Sequence, residues 1–236
     1  MRFFSQFRSV SEADKSKAVE MLIKDSTPDF DFFYLIILSI LMATLGLLID
    51  SVAVVIGSML IAPMLYPVLS LSLGIVMSDY GVISRSFYTI LKSSGLGVVA
   101  AVVATIFLSS SGLEDIGGEI LSRTSPSLLY FVIAFVAGLA ASYSLVKPGL
   151  NERFPGVAIA VALVPPLAVI GIGLAKVSWE IISGALVLFI VNVLGIVFAS
   201  MISFSLMNLY VKRKVAQNTI KEEKKRVEEE KENNTD

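Results

Sequence analysis

Cysteine and histidine are both absent from this chain of 236 residues. The absence of cysteine excludes disulfides, thiol nucleophiles and thiolate metal sites. The absence of histidine excludes imidazole metal ligands, histidine proton relays and a Ser-His triad. No metal site and no cofactor site is predicted. An enzyme is the weakest functional hypothesis, because the apolar segments offer no nucleophile–base pair and no set of metal ligands.

Charged residues are scarce as well. They make up 17% of the chain, whereas hydrophobic residues make up 55% and the mean hydropathy is +0.80. These values lie far from those of soluble globular domains. Uncharged runs of about 18 residues or more can cross a hydrocarbon core roughly 30 Å thick. We therefore predict six transmembrane helices, at residues 32–49, 51–78, 93–113, 124–146, 154–175 and 181–211.

The six spans predict an all-α integral membrane protein in three parts. Residues 32–211 form the six-span transmembrane domain. Residues 1–31 are either an amphipathic helix in the membrane interface, with a weak capping box at Ser11 and Asp14, or a partly ordered lead-in. Residues 212–236 form a charged tail, interpreted as a solvated continuation of the last helix with Glu222 and Arg226 spaced for an i,i+4 pair.

The lysines and arginines predict the orientation, because basic residues in short loops favour the cytoplasmic side. Six spans bring both termini to one side, and that side holds 17 of the 19 basic residues. Arg85 and Lys92 are among them, in a predicted loop before the third span. Only Arg123 and Lys176 lie on the opposite side. Both termini are therefore expected to be cytoplasmic.

Prolines interrupt the second and fifth predicted spans. Proline removes a backbone donor and displaces the carbonyl four residues before it, so a membrane helix kinks or separates there. Similar segments, SVAVVIG at 51–57 and GVAIAVA at 156–162, precede the two interruptions. Each interrupted span is the middle one of three, so the second triplet enters the membrane from the opposite side. This pattern predicts a 3+3 inverted-topology repeat with proline-broken second and fifth spans. The prolines are Pro63, Pro67, Pro165 and Pro166.

Two interpretations of these breaks stay open. Each break is either a packed kink whose backbone groups are satisfied by neighbours, or part of a central site for an ion or small solute. Asn192 is likewise either an interhelical hydrogen-bonding group or a part of the pathway. No ionisable side chain is predicted near a bilayer centre, which disfavours a carboxylate-driven pump. The sign of the solute's charge stays open. The candidate pathway residues are Ser58, Pro63, Tyr66, Pro67, Pro165, Pro166 and Asn192.

A longer segment lies between the third and fourth spans. It contains Glu119 and Arg123, which are spaced i,i+4 and are expected to be able to pair. The segment is interpreted as a structural elbow. Alternatively, Glu114, Asp115 and Glu119 form an acidic vestibule that attracts cations.

Three motifs carry a resemblance to a known family. They are GSMLIAP at 57–63, RTSP at 123–126 and ALVPPLAV at 162–169. The region around them, about residues 31–204, closely resembles the hydrophobic membrane proteins of bacteria and archaea grouped as domain of unknown function 389. The resemblance implies six spans and a prokaryotic inner membrane. It implies no substrate and no site residues.

The favoured hypothesis is a membrane transporter or channel-like protein for an unidentified ion or small solute, with a central site between the two broken helices. The alternative is a membrane scaffold or sensor without transport activity. Frequent small residues in the spans favour close helix packing and a homo-oligomer. The expected partners are the lipid bilayer, further copies of the chain and the solute, and no nucleic-acid partner is expected.

Overall fold

The computed structural model of the chain describes residues 10–109, 116–147, 149–150 and 163–233. Within these residues every regular element is a helix. A 3-10 helix at Leu209–Lys212 precedes the last α-helix. The α-helices are α1 (Glu12–Asp25), α2 (Phe30–Leu48), α3 (Val52–Met59), α4 (Leu65–Met77), α5 (Tyr80–Ser109), α6 (Gly118–Leu121), α7 (Leu128–Val146), α8 (Val164–Ala175), α9 (Trp179–Leu206) and α10 (Arg213–Asn233).

Four of these helices, α2, α5, α7 and α9, are long and apolar enough to cross a membrane. Two shorter apolar helices, α4 and α8, have 13 and 12 residues. Large apolar side chains point outward along the long helices, as at Phe107 and Leu128, which are both 79% exposed. Such surfaces suit contact with lipid rather than water. The prediction of an all-helical protein with membrane-length apolar helices is thus confirmed for four of the six predicted spans.

Helix α5 begins 13 residues before the predicted third span. The prediction that Arg85 and Lys92 lie in a loop is therefore wrong, because both belong to α5. Their charged groups have partners within the protein. Arg85 Nη2 donates to Thr27 Oγ1 at 2.6 Å, and Lys92 Nζ lies 4.5 Å from the centre of the Phe33 ring. A charged residue ends an uncharged run of the sequence, but the helix continues through Arg85 and Lys92, whose charged groups contact Thr27 and Phe33.

Two other predicted spans differ in their described extent. The fourth begins at Leu128 instead of residue 124, because the preceding residues form a turn in which the Tyr130 hydroxyl donates to the Ser122 carbonyl at 3.0 Å. In the fifth, residues 154–162 lie outside the described residues, and α8 is the part that follows. Its Pro165 and Pro166 are the second and third residues of the helix.

The predicted second span consists of two helices, α3 and α4, which are separated by residues 60–64. Pro63 lies in this connection. Pro67 is the third residue of α4, just as Pro166 is the third residue of α8. A proline in the first turn of a helix costs no helical hydrogen bond, since the backbone nitrogens there have no partner within the helix. Pro67 and Pro166 therefore lie in the first turns of α4 and α8 and do not distort the interior of a helix.

Three helix–helix turns share one geometry. In each, the final backbone N–H bonds the carbonyl of a glycine five positions before it, at 2.8–3.0 Å, as is common at helix C-termini. The residue next to the last has a positive φ of 49–54°. The turns span residues 46–51, 74–79 and 173–178, with positive φ at Asp50, Ser78 and Val177.

The glycine that opens each turn permits a close approach of two helices. A Cβ atom at Gly46 would lie 2.9 Å from the backbone nitrogen of Val55, and one at Gly74 would lie 3.0 Å from that of Ile83. At Gly173 the nearest atom would be Cγ2 of Ile181, at 2.9 Å. Each contact partner follows its glycine by eight or nine positions. The pairs α2–α3, α4–α5 and α8–α9 therefore pack in the same antiparallel manner.

The helices of the two halves of the chain begin at regular intervals. Helices α7, α8 and α9 begin 98, 99 and 99 residues after α2, α4 and α5, and the lengths of the paired helices are similar. Helix α4 contacts both α5 and α9, and α8 likewise contacts both α9 and α5. The correspondence is weaker for the remaining pair, since α2 contacts α3, α5 and α8 whereas α7 packs chiefly on α9.

The charged tail does not continue α9. The chain reverses at Asn208, whose φ is +57°, and α10 packs on α1. Ala216, Thr219 and Glu223 are buried on α10, so this helix has a buried face and is not solvated all round. The predicted straight extension is therefore wrong. The predicted cap is confirmed, since Ser11 Oγ accepts a hydrogen bond from the backbone nitrogen of Asp14 at 3.1 Å.

Replacing Gly171 with alanine tests the packing of α8 on α5. The added Cβ would collide with that of Ala101 and lie 2.9 Å from the carbonyl oxygen of Val98. We expect destabilisation by about 1–3 kcal/mol, as for other overpacked contacts. In the matched control Gly95→Ala, nothing lies within 4 Å of the new Cβ, and we expect stabilisation of up to about 1 kcal/mol. Thermal unfolding in detergent measures both, and equal melting temperatures would contradict this packing.

Candidate functional site

A cavity of about 510 Å³ opens on the terminal side of the molecule, where α1 and α10 lie. The end of α1, the beginning of α2, the α3–α4 connection and α10 surround it. The cavity thus extends from the charged terminal helices to the interruption between α3 and α4. The residues that line it include Asp25, Asp29, Pro63, Tyr66, Glu223 and Arg226.

Asp25 and Tyr66 form a hydrogen-bonded pair in this cavity. Burial raises the pKa of the Asp25 carboxyl above its usual value, and the negative charge of Glu223 acts in the same direction. The hydrogen bond from Tyr66 and the positive charge of Lys24 partly offset these effects. Asp25 therefore retains its proton to a higher pH than an exposed aspartate does.

Side-chain hydroxyls within the protein bond two backbone carbonyls next to the interruption between α3 and α4. The hydroxyl of Ser39, on α2, donates to the carbonyl of Ser58 at 2.7 Å. The hydroxyl of Ser58 donates to the carbonyl of Val55 at 2.6 Å. Ser58 is completely buried and does not line the cavity. At this residue the packed-kink interpretation is the better one, and Ser39, which sequence reasoning missed, supplies the partner.

The structure does not bring the seven candidate pathway residues into one site. Pro63 and Tyr66 line the cavity. Pro67, Pro165 and Pro166 are buried in the first turns of α4 and α8, and Asn192 is buried in α9, outside the cavity lining. Helix α8 contacts α2, α3, α5 and α9, so its first turn belongs to the centre of the bundle.

An apolar groove of about 600 Å³ lies between α4, α5, α8 and α9. Its lining carries no charge, and Ser94 provides its one hydroxyl. Fourteen of the sixteen lining residues form seven pairs whose members are 99 positions apart, the same interval that separates the starts of the helices. Sequence reasoning missed this groove, because nearly all of its residues are apolar ones that any membrane helix contains. Examples of the pairs are Leu71 with Ile170, Ile90 with Phe189 and Val98 with Val197.

The predicted pair in the outer segment is present. Arg123 Nη1 lies 2.6 Å from Glu119 Oε2. The short helix α6 that carries Glu119 is attached to the α2–α3 turn, since Asp50 Oδ1 accepts a hydrogen bond from the Glu119 backbone at 2.7 Å. These contacts agree with a structural elbow. Glu114 and Asp115, which the vestibule alternative requires, lie outside the described residues.

Ion pairs connect the 3-10 helix and α10 to three earlier parts of the chain. Asp79, which pairs with Arg213 of α10, also accepts a hydrogen bond from Gln217 at 2.7 Å. Burial tends to raise the pKa of Asp79, but the bonds from Arg213, Gln217 and two backbone N–H groups outweigh burial and lower it. The predicted Glu222–Arg226 pair is replaced by pairs of Arg226 with Glu223 and Asp29. The three connections are Lys212–Glu12 at 2.9 Å, Arg213–Asp79 at 2.8 Å and Arg226–Asp29 at 2.9 Å.

Metal binding is not indicated by the part of the chain that the structure describes. No three Asp or Glu side chains cluster there as possible ligands. The acidic groups of the cavity are instead engaged by the Tyr66 hydroxyl and the Arg226 guanidinium. The cavity is therefore a charged space that suits a polar solute, and the groove is an apolar one.

Comparison with known proteins identifies the family. The family model described as Domain of unknown function (DUF389) matches residues 59–198. An uncharacterised protein of Methanocaldococcus jannaschii is 35% identical over 171 residues, which cover 72% of this chain and 52% of that protein. The chain thus spans about half the length of this curated relative. No solved structure matches. The chain belongs to the DUF389 family, as the motifs predicted.

Replacing Ser39 with alanine tests the hydrogen bond at the helix interruption. The buried Ser58 carbonyl loses its hydroxyl partner and keeps only the bond from the Ile61 backbone N–H, at 3.2 Å, so we expect destabilisation by about 1–2 kcal/mol. The matched control is Ser72→Ala, whose hydroxyl bonds the Val68 carbonyl within its own helix at 2.9 Å. That carbonyl belongs to a regular helix, so we expect a loss below about 1 kcal/mol. Thermal unfolding in detergent compares the two, and a control as damaging as Ser39→Ala would refute the special role of Ser39.

Proposed function

We propose that this member of the DUF389 family is a six-span membrane transporter or channel-like protein for an ion or small solute, with a central site between two inverted halves. The observation that carries the proposal is the lining of the apolar groove. Seven residue pairs contribute to it at a constant interval of 99 positions. Equivalent residues of two repeats face each other in this way when a pseudo-twofold axis passes between them.

The helix order supports opposite insertion of the two halves. One half comprises α2, the α3–α4 pair and α5, and the other comprises α7, the segment that ends in α8, and α9. With the six predicted spans each half has three crossings, and an odd number of crossings reverses the direction of the next repeat. Many transporters bind their solute where two such halves meet, at discontinuous helices near the bilayer midplane.

The interval of 99 residues corrects the register of the repeat. The similarity of SVAVVIG and GVAIAVA paired Pro63 with Pro165 and Pro166. The helix starts instead pair Pro67 with Pro166, each at the third residue of its helix. We infer that the central site lies at these two first turns. Helix α4 begins there after the interruption at residues 60–64, α8 begins at Val164, and the prolines of both first turns are buried.

The cavity on the terminal side supports a route to this site. It connects the charged surface of α1 and α10 with Pro63 and Tyr66, and Tyr66 directly precedes Pro67. The apolar groove is unsuited to ions because it offers no compensating charge. We propose that the route follows the first turns of α4 and α8, and that lipid or another copy of the chain covers the groove. Phe87 and Leu91 line the groove and are about 60% exposed, so they would contact the lipid or, in the proposed homo-oligomer, the second copy.

The proposed setting is the inner membrane of a prokaryotic cell, with both termini in the cytoplasm. The distribution of basic residues supports this orientation, and α1 and α10 pack against each other on one side. This terminal pair also favours the second candidate function. In that case α1 and α10 form the cytoplasmic surface of a membrane scaffold or sensor without transport activity.

Flux into proteoliposomes distinguishes the two functions. Stopped-flow light scattering with potassium chloride, sodium chloride, potassium phosphate and glycerol covers cations, anions and a neutral solute. We expect at least one solute to enter faster than in protein-free liposomes. Pro67→Ala and Pro166→Ala should each slow that entry on the order of tenfold, equivalent to roughly 1.4 kcal/mol in the barrier, because each replaces a buried ring in one of the two first turns that form the proposed site.

The matched control is Pro126→Ala, in the exposed turn before α7, which should leave the flux unchanged. A folded protein that passes none of the four solutes would favour the scaffold function. Equal flux in all three proline variants would remove the proposed site.

A further inference from the structure

We infer that α10 is a clamp that closes the terminal-side cavity, and that ionic strength controls its opening. The inference rests on the proposed function in one respect, since it takes this cavity as the entrance for the solute. The clamp itself is defined by contacts of α10 and is measurable without any transport.

One wall of the cavity belongs to α10. Glu223 and Arg226 form this wall, and Pro63 and Tyr66 lie on the opposite side, next to the helix interruption. Any movement of this part of α10 away from α2 therefore widens the path to the interruption. The rest of the lining comes from the end of α1, the beginning of α2, the α3–α4 connection and the first turn of α4.

The first half of α10 is firmly attached. Arg213 and Gln217 both bond the carboxylate of Asp79, whose side chain is only 5% exposed. Ala216 and Thr219 are buried against α1. These contacts fix the beginning of the helix in the interior, where a buried and multiply bonded carboxylate is costly to separate from its partners.

The second half of α10 is attached more weakly. Beyond Glu223 its one ion pair with the membrane domain, among the described residues, joins Arg226 to Asp29 at 2.9 Å. Val227 and Glu230 only border a smaller cavity beside Phe30 and Lys92, and Val227 is half-buried there. The Arg226 side chain is 48% exposed, and partly exposed pairs contribute little and are screened by salt. The described helix thus combines a fixed beginning with a releasable end, which is the arrangement of a clamp that opens by bending or fraying at its C-terminal half.

A single cysteine reports the state of the clamp, because the chain has none of its own. Phe32 lines the cavity and is 4% exposed, so Phe32→Cys introduces a thiol that a hydrophilic maleimide reaches only when the cavity opens. The labelling rate is measured on the full chain in proteoliposomes at low and at 0.5 M salt, roughly the range over which the screening length falls by half or more.

The clamp predicts faster labelling whenever the ion pair is lost. Asp29→Asn keeps an N-cap side chain for α2 but removes the charge, and Arg226→Gln removes the other charge. Each should increase the rate at low salt about fivefold, which corresponds to about 1 kcal/mol. The double variant should be no faster than Arg226→Gln alone, because that change already removes the pair with Asp29 together with the Arg226 pairs to Glu223 and Glu230. High salt should increase the labelling rate of the protein that keeps the Arg226–Asp29 pair and should leave the labelling rates of the variants unchanged.

Two controls separate opening from general loosening. Lys225→Gln removes a neighbouring exposed charge that forms no ion pair with the described residues, and it should leave the rate unchanged. A cysteine introduced by Leu121→Cys in α6, on the far side, should react equally in every variant. A labelling rate at position 32 that changes neither with Arg226→Gln nor with salt would contradict the clamp. Equal changes in the labelling rates at positions 32 and 121 would also contradict it. Since labelling requires no flux, a failed clamp and a failed transport function give different results.

Discussion

A backbone that interrupts its own helix inside a membrane must find hydrogen-bond partners within the protein, because hydrocarbon provides none. This constraint governs the centre of the molecule. The Ser39 hydroxyl serves the Ser58 carbonyl where α3 ends, and Pro67 and Pro166 lie at helix starts, where a missing N–H costs nothing. The interruption is therefore a stable part of the fold, and the short helices α4 and α8 can begin in the interior of the bundle.

Close helix approach provides the second element of the architecture. Glycines open three turns of the same geometry, and in each case the following helix passes so near that a side chain would meet it. Two of these turns, α4–α5 and α8–α9, are 99 residues apart, as are the helix starts and the residues of the apolar groove. The same interval therefore recurs in the turns, the helix starts and the groove lining of α4, α5, α8 and α9.

The sequence predicted what is local and missed what depends on distant contacts. Apolar runs located the long helices, and spacing alone identified the Ser11 cap and the Glu119–Arg123 pair. The start of α5 was missed because Arg85 is stabilised by Thr27, 58 residues away. The fold of the tail was missed because Arg226 pairs with Asp29 and not with Glu222. Of the seven pathway residues, only Pro63 and Tyr66 line the cavity, since which residues meet there depends on how α1 and α10 close over α4.

The most direct test of the inverted repeat is the side of the membrane on which two equivalent turns lie. Ser78 and Val177 are 99 positions apart, both are exposed, and both have positive φ at a turn tip. Ser78→Cys and Val177→Cys, introduced singly into the cysteine-free chain, can be labelled with a membrane-impermeant maleimide in intact cells and in inverted membrane vesicles. The account predicts labelling of position 177 only from outside and of position 78 only in inverted vesicles. Labelling of both positions from the same side would contradict it.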